Sequence, residues 1–597
     1  MKPFIEPIGE NATDSHQTSP SWIVTFTRFN TRDTFNYGEL GPKKLEPVRG
    51  PLVVENDCIS ISIETAKTNY TPKATLTLLS GDLNYSTAVS PGDFFIVNIV
   101  NSPQKARDIR IKAGNGEKIN KPGYGFKGVF KINSVNKIMS VDPSSGQKIL
   151  RYQVIGYAFT EFNNIIYFNP TLPVKELKNL LFNINLDLLV AIGKRNSVQE
   201  VLQLLPNIFL GGGKISPTGA IVSTKKNPYI IPKDLFKLLG IDGSFAIDLY
   251  RIMIGVWTKF DNKSSLAKGM NPTGINDNQQ IQTLTKSLSG RTPVQATPLT
   301  NITSLEIIKR FSNPLINEMY TCFRLDSKTG LILPKMIIRQ KPFTTNHFEH
   351  FLATKGKFKS NPAINYTKFL ELPRWKISPN LIYNLNFSKN ESLRFNLVHI
   401  IGSTGNAQKD QVIQTFANSD SSNVYVDEID IQRHGLRPYT QISNFDWTDK
   451  PKGYSPEWAA LCFDWVYGGH LRLNGTISCV GIEDDICIGD NLQLHNTVFH
   501  IESIQHVAGI SPDGKKMFKT NLSLTHGMDK RSSTKKPVYP EMDFTDTLRD
   551  RIDDYEFGEQ ILPGFSDTQD ILGREKGEEI EETANKSYTP ADAKEKK

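Results

Sequence analysis

Residues 488–526 read IGDNLQLHNTVFHIESIQHVAGISPDGKKMFKTNLSLTH, and their pattern is that of three consecutive strands. Gly489 is free to take a positive φ and Asp490 can accept hydrogen bonds from backbone N–H groups, so this pair predicts a tight turn. Phe499 and Ile501 then lie at period two on one face of a strand, and an Asp/Gly turn leads into a further alternating strand. The stretch therefore predicts a β meander.

A distant stretch follows the same order of elements. Gly92-Asp93 precedes an apolar strand, and FKINSVNK at 130–137 shares its Phe-x-Ile-x-Ser pattern with FHIESIQH at 499–506. A turn again leads to an alternating strand at 150–154. The first copy is longer by one insertion, at roughly 101–128, whose composition is loop-like. We interpret the match as a duplicated module; the alternative is two unrelated meanders with the same turn chemistry.

The segment between the two copies has a different periodicity. Apolar residues at spacings of three and four predict helices in 173–209 and 244–260, with Ser197 as an N-cap and Glu200 at the capping-box position. Gly211–Gly213 lacks the strand and helix that flank a phosphate-binding loop, so we interpret it as a linker. The predicted class is α+β and β-dominated: two similar small β-barrel, tube-like domains with an inserted helical domain.

The predicted domain organisation follows from these changes of pattern. It comprises an N-terminal extension (1–50), a first β-barrel domain (51–168), a mainly helical domain with a polar loop (169–300), a second β-barrel domain (301–402 and 461–528), a peripheral insertion (403–460) and an acidic C-terminal tail (529–597).

Composition narrows the class of protein. The 597 residues are 38% hydrophobic and 10% aromatic, which is typical of a folded chain of several domains. No apolar run approaches the ~18 residues that span a bilayer, and residues 1–20 lack the apolar core of a secretory signal. We therefore expect folding in a cytoplasm and no membrane partner. The cysteines form no CxxC pair and predict buried free thiols: Cys58, Cys322, Cys462, Cys479 and Cys487.

The net charge of +8 is unevenly distributed. Residues 541–597 carry 17 acidic and 8 basic side chains, a net −9, which leaves +17 on the rest of the chain. A basic body with an acidic tail suggests partner contacts through both parts, and a solvated surface with a disordered end is the alternative. Aromatic residues among the tail's charges favour a docking peptide.

Three groups of polar residues could form a catalytic or metal-binding site. His347 and His350 flank Glu349 at a spacing that could share a metal ion, but the pattern is not HExxH. The paired carboxylates of 483–485 could serve glycoside chemistry, but acidic residues are common in turns. His500 and His506 match Lys131 and Lys137 of the first copy, which predicts exposed strand positions. We therefore predict no catalytic, cofactor-binding or metal-binding residues, no cofactor, and a protein that is not an enzyme.

The ordered set of motifs resembles the phage tail hub family, the baseplate hubs of contractile tails and the late control D proteins. GTISCVGIEDDICIGDNLQLHNTVFHIESIQHV at 475–507 and the strand at 520–527 resemble its closing domain. The pair at 60–82 resembles the opening strands of its first barrel, and three short segments match its middle portion: 331–343, 370–373 and 393–398.

This resemblance implies a structural baseplate hub, a homotrimeric ring of pseudo-six-fold symmetry that joins the hexameric tail tube to the trimeric central spike. The implied partners are further copies of the chain, the tail tube protein and the central spike protein, with the tape-measure protein and the baseplate wedge as additional candidates. DNA would only pass through the lumen. The implied location is the virion tail baseplate, assembled in the host cytoplasm. The alternatives are a tail-associated cell-wall hydrolase and a spike protein of a related contractile secretion system.

Overall fold

A computed structural model of the chain was analysed. It describes residues 5–8, 19–28, 50–79, 84–141, 148–160, 165–166, 214–215, 221–222, 233–241, 302–303, 305, 317–326, 329–342, 369–370, 372–377, 381–402, 424–443, 462–463, 465–511, 514–532 and 538–540. Residues 1–377 and 382–540 belong to one compact unit, and residues 378–381 and 541–597 belong to a second. All elements discussed below lie in the first unit.

The described part of the chain is dominated by strands. In chain order they are β1 (Ile5–Ile8), β2 (Ser21–Thr27), β3 (Leu52–Val54), β4 (Cys58–Ala66), β5 (Asn69–Leu79), β6 (Phe94–Val100), β7 (Phe126–Val141), β8 (Lys148–Tyr157), β9 (Ile165–Ile166), β10 (Lys214–Ile215), β11 (Ile221–Val222), β12 (Ile302–Thr303), β13 (Asn317–Asp326), β14 (Leu331–Gln340), β15 (Arg374–Ile377), β16 (Ile382–Ser388), β17 (Leu397–Gly402), β18 (Val424–Val426), β19 (Pro438–Ser443), β20 (Leu473–Val480), β21 (Asn491–Leu494), β22 (Thr497–Ile510) and β23 (Lys516–Asp529).

Helices are few and short among the described residues. They are α1 (Tyr85–Ala88), α2 (Pro103–Gly114), α3 (Lys233–Leu239) and α4 (Glu428–His434), with 3₁₀ turns at Glu391–Leu393 and Gly469–Leu471. This balance of elements confirms the predicted β-dominated α+β class.

Fourteen strands form one sheet, and within it two sets of six repeat the same topology. The first set runs in the order β4-β5-β8-β7-β6-β2, and the second runs β16-β20-β23-β22-β21-β15. When each set is numbered by its position along the chain, both orders are second, third, sixth, fifth, fourth, first. They differ at one pairing, because β2 is antiparallel to β6 whereas β15 is parallel to β21. We call the two sets the first and second modules.

The repeat extends to individual hydrogen bonds. The amide of Gly92 donates to the carbonyl of Ile132 at 2.8 Å, and the amide of Gly489 donates to the carbonyl of Ile501 at 2.9 Å. The ladders slip by one residue immediately after each of these isoleucines, where β7 meets β8 and where β22 meets β23. Two unrelated meanders would not share a bulge at the same position. The structure therefore supports duplication of the module.

Alternation along the strands separates an apolar face from a polar one. Ile61, Leu76 and Val154 on neighbouring strands of the first module are fully buried. The counterparts of Leu76 and Val154, Ile477 and Leu522, are equally buried in the second. The two ends of the first module also approach each other, since Trp22 Nε1 donates to the carbonyl of Cys58 at 2.7 Å. Pairing between described strands does not close either module into a barrel.

The insertion at 101–128 proved to contain a helix, so the prediction of a loop was wrong. Pro103 opens α2, and Ala106, Ile109 and Ala113 place a narrow apolar stripe against the core. The sequence signal was weak because charged side chains occupy most of the other positions of this helix.

Two sequence boundaries differ from the observed pairing. The predicted extension at 1–50 contains β2, a fully buried strand that pairs with β6 of the first module. The hairpin of β13 and β14, assigned by sequence to the second barrel, pairs with itself, and its Phe323 packs against Phe126 and Phe130 of the first module.

Of the remaining sequence predictions, some fall on residues that the structure describes and others fall outside them. The apolar spacing of PKDLFKLLG at 232–240 predicts a helix, which α3 confirms. The alternation of YTKFLELP at 366–373 predicts a strand, but Phe369 and Leu370 are helical, so this prediction is wrong there. The predicted helices in 173–209 and 244–260, the Gly211–Gly213 linker and the polar loop lie outside the described residues.

The two corresponding turn glycines allow a matched test of how Tyr320 packs against the second one. Gly92 and Gly489 have φ of 94° and 80°, but a Cβ on Gly92 meets nothing within 4 Å, whereas one on Gly489 lies 2.3 Å from the Tyr320 ring. G92A is expected to destabilise by about 1 kcal/mol through backbone strain. G489A adds an overlap with a packed ring and is expected to lower the melting temperature clearly further. Equal melting temperatures for the two variants would contradict close packing of the Tyr320 ring against Gly489.

Candidate functional site

The two modules join edge to edge through a continuous antiparallel ladder. β4 of the first module pairs with β22 of the second, with Ser60 opposite Gly509 and Ala66 opposite Ser503. Eight strands therefore follow one another without a break, in the order β7-β8-β5-β4-β22-β23-β20-β16. We call this ladder the junction.

The face of the sheet opposite the core carries mostly polar side chains across the junction. Ser478, Asn521, Gln505, Glu64 and Lys73 lie side by side on five successive strands. Asn521 Nδ2 donates to Gln505 Oε1 at 3.0 Å, which ties two of these strands together through side chains. Further half-buried members of this polar face are Ser60, Ser62, Thr75, Thr77, Gln153 and Ser523. The surface is polar but has few charges.

A buried ionic cluster sits at one end of the junction. Lys67 Nζ donates to Glu318 Oε2 at 2.6 Å and lies 2.5 Å from His500 Nε2, with Glu502 at 3.4 Å. Because His500 Nδ1 lies 2.9 Å from the Asn491 side-chain oxygen, the ring is neutral with Nδ1 protonated and Nε2 accepting from Lys67. The cluster therefore connects the β4–β5 turn, β13 and β22. No sequence pattern predicted this cluster, because Lys67 lies in an ordinary turn.

The acidic turn at 483–485 is an anchor between the modules. The buried Lys127 ammonium group donates to the carbonyl oxygens of Ile482, Glu483 and Asp484 at 2.8, 3.0 and 3.2 Å. The Glu483 carboxylate accepts from Lys105 Nζ at 2.6 Å. The backbone and side-chain oxygens of this turn thus bind lysines of the first module, which is typical of a structural contact.

Asp490, the second residue of the Gly-Asp turn, is a further point of attachment. Its two carboxylate oxygens accept from Arg324 at 2.5 Å and from Trp375 Nε1 at 3.0 Å. The corresponding Asp93 instead accepts from the amide of Ser90 at 2.9 Å, as expected for a turn. The second copy has therefore kept the turn and acquired long-range contacts.

The prediction that His500 and His506 are exposed was wrong. Both side chains are buried: the His500 ring packs near the rings of Phe369 and His526, and the His506 ring lies 6.0 Å from that of Phe518. His506 Nδ1 lies 3.0 Å from Thr520 Oγ1. Burial holds the pKa of His500 below its usual value and the pKa values of His506 and His526 well below it. These are neutral core histidines.

The cysteines agree with the sequence prediction, because all five are buried free thiols. Burial raises the pKa of Cys479 to about 12, which disfavours the reactive thiolate. Among the described residues, no group of three or more His, Cys, Asp or Glu side chains is arranged to hold a metal ion. The pair His347 and His350 and the acidic tail lie outside the described residues.

In the part of the chain that the structure describes, no helix combines the length and hydropathy needed to cross a membrane.

The chain is similar to several solved structures. No protein-family model and no curated protein matches the chain. A tail protein from Neisseria meningitidis MC58 has a TM-score of 0.36 at 10% identity, covering 87% of this chain and 98% of that chain. The 43 kDa tail protein of prophage MuSo2 from Shewanella oneidensis has a TM-score of 0.35 at 10% identity, covering 85% and 98%.

A Francisella PdpA–VgrG complex in its half-lidded form has a TM-score of 0.31 at 8% identity, covering 88% of this chain and 60% of that chain. The chain is thus similar, at low sequence identity, to two tail proteins and to a VgrG complex.

Two lysines that cross between the modules give a matched test of the buried cluster. K67M removes the cation beside Glu318, whose side chain is 9% exposed, and is expected to lower the free energy of unfolding by about 3 kcal/mol. K105M removes a pair whose lysine is 49% exposed and is expected to cost at most about 1 kcal/mol. Thermal or chemical unfolding measures both, and an equal loss for the two would contradict a stabilising role of burial here.

The buried histidines predict a dependence of stability on pH. Their pKa values are lowered in the folded chain, so below about pH 6.5 the unfolded chain binds more protons. Stability is therefore fully present above that pH and is lost as the pH falls, by up to about 1.4 kcal/mol per pH unit for each histidine. H506Q should reduce the fall in melting temperature between pH 7.5 and 5.5. A fall of the same size in H506Q and in the unsubstituted chain would contradict the burial of a neutral His506.

Proposed function

We propose that this chain is a structural, ring-forming hub of a contractile phage tail baseplate, active as a homotrimer. The observation that carries the proposal is the duplicated module, whose copies share strand order, register and bulges and are joined edge to edge. A chain with two equivalent modules repeats the same structural unit twice about its own pseudo-axis.

The duplication accounts for how such a hub connects partners of different symmetry. A head-to-tail contact that repeats from module to module generates a ring when its rotation closes. Three chains then present six similar modules, which suits a hexameric tail tube on one side, while the true three-fold symmetry suits a trimeric spike on the other. A trimer of chains with a duplicated module therefore has approximate six-fold symmetry.

The polar face of the sheet suits the lining of the central channel. Its mostly uncharged side chains would offer DNA or a tape-measure protein no strong binding site. The net charge of +17 on residues 1–540 suits contacts with acidic surfaces of partner proteins. The lysine contacts of the acidic turn at 483–485 favour this structural reading over glycoside chemistry.

Native mass spectrometry of the purified chain at micromolar concentration tests the proposal. The expected mass is three times the 67.1 kDa of a single chain. The matched reference is the same sample dissociated in denaturant, which gives the mass of one chain. A chain that remains monomeric over the whole accessible concentration range would contradict the hub.

A further inference from the structure

Two of the five buried cysteines lie against each other where β13 meets the Gly-Asp turn of the second module. The thiol of Cys487 is hydrogen bonded to that of Cys322. Its Sγ also lies 2.9 Å from the carbonyl oxygen of Phe323, the residue that follows Cys322 in β13. Both cysteines are almost inaccessible, at 2% and 3% exposure. Two thiols that share a hydrogen bond are close enough to form a disulfide with small side-chain movements.

The contacts on either side of this pair hold the two thiols together. Tyr320, two residues before the strand cysteine, packs its ring against Gly489. Arg324, two residues after it, donates to Asp490 Oδ1 at 2.5 Å. Side chains two residues apart in a strand point to the same face, so one face of β13 contacts residues 487–490 at three successive positions. The approach of the two thiols is therefore fixed by the packing of the whole strand.

The pair lies at a place where the fold depends on side chains alone. Among the described strands, β13 forms a ladder with β14 only, so no backbone ladder joins this hairpin to either module. On the other face of β13, Phe323 packs against Phe126 and Phe130 of the first module. A covalent bond between residues 322 and 487 would therefore fix the hairpin, already packed on the first module, to the second.

We propose that Cys322 and Cys487 form a redox-sensitive site, which small hydroperoxides oxidise to a disulfide that locks the hairpin between the modules. A thiolate of the pair attacks one oxygen of hydrogen peroxide, the O–O bond breaks, and a sulfenic acid and hydroxide result. The second thiol then attacks the sulfenic sulfur, forms the S–S bond and releases water. The proton lost by the first thiol neutralises the hydroxide. Two thiols and one peroxide thus give one disulfide and two waters.

Burial determines which oxidant can act and how fast. A pair this inaccessible excludes bulky disulfide reagents, whereas hydrogen peroxide is small and uncharged. The hydrogen bond to Cys322 and burial hold the pKa of Cys487 well above its usual value. Because the thiolate is the reactive form, we expect oxidation to be slow at neutral pH and to accelerate about tenfold from about pH 6.5 to about pH 7.5.

Peptide mapping of the full-length chain tests the site without any substitution. The folded protein is incubated with hydrogen peroxide, unfolded in N-ethylmaleimide so that remaining thiols are blocked, and digested without reduction. A linked pair of peptides that contain Cys322 and Cys487 is expected, at least about tenfold more abundant than any other cysteine pair. A sample reduced with a phosphine before unfolding is the reference and should contain no link.

Thermal unfolding measures whether the link acts as a lock. The disulfide would close the long loop between residues 322 and 487, which restricts the unfolded chain. The oxidised chain is expected to melt at least about 2 °C above the reduced chain. In C322S this difference should disappear. In C479S, which changes a buried cysteine whose Sγ lies 3.3 Å from the Thr520 carbonyl oxygen, the difference should remain.

The outcomes separate this inference from the proposed function. A peroxide-treated chain in which the two cysteines are recovered unlinked, or as sulfinic or sulfonic acids, would overturn the site. A link that leaves the melting temperature unchanged would overturn its role as a lock. In a virion assembled in a reducing cytoplasm, the link would close only after release, and this consequence alone rests on the proposed function. A monomeric chain that forms the link would overturn the hub and support the redox site.

Discussion

The backbone ladder between β4 and β22 is the contact on which the rest of the structure depends. It joins two modules that are far apart in sequence into one sheet, and it covers an edge that would otherwise expose unpaired N–H and C=O groups. The same pairing orients the polar side chains of both modules toward one face. Remove it, and the two modules would be separate small sheets, each with an additional open edge.

The side-chain contacts around this ladder differ between the two modules, although the modules share one topology. Both modules keep the Gly-Asp turn and its backbone hydrogen bonds, but only the second uses the aspartate to hold Arg324 and Trp375. Lys67, Lys105 and Lys127 of the first module all reach acidic or carbonyl oxygens outside it. The copies thus share the turn and its register but differ in the longer-range contacts of its aspartate and of these lysines.

Sequence patterns predicted the strands well where alternation and turn chemistry act locally. The meanders after Gly92 and Gly489 follow from such short-range signals. Burial that depends on tertiary packing could not be predicted in this way: His506 is buried against Phe518 and Thr520, whereas the matching Lys137 is exposed. α2 was missed because its apolar stripe is narrow, and β2 because a single strand stands between polar segments.

We infer that the two modules are structural equivalents that repeat around a common axis. A cryo-electron microscopy reconstruction of the assembled protein without imposed symmetry tests this inference. Six similar modules around a three-fold axis, two from each chain, are expected. A reconstruction in which the sheets of the two modules are discontinuous, or are not superimposable strand for strand, would contradict it.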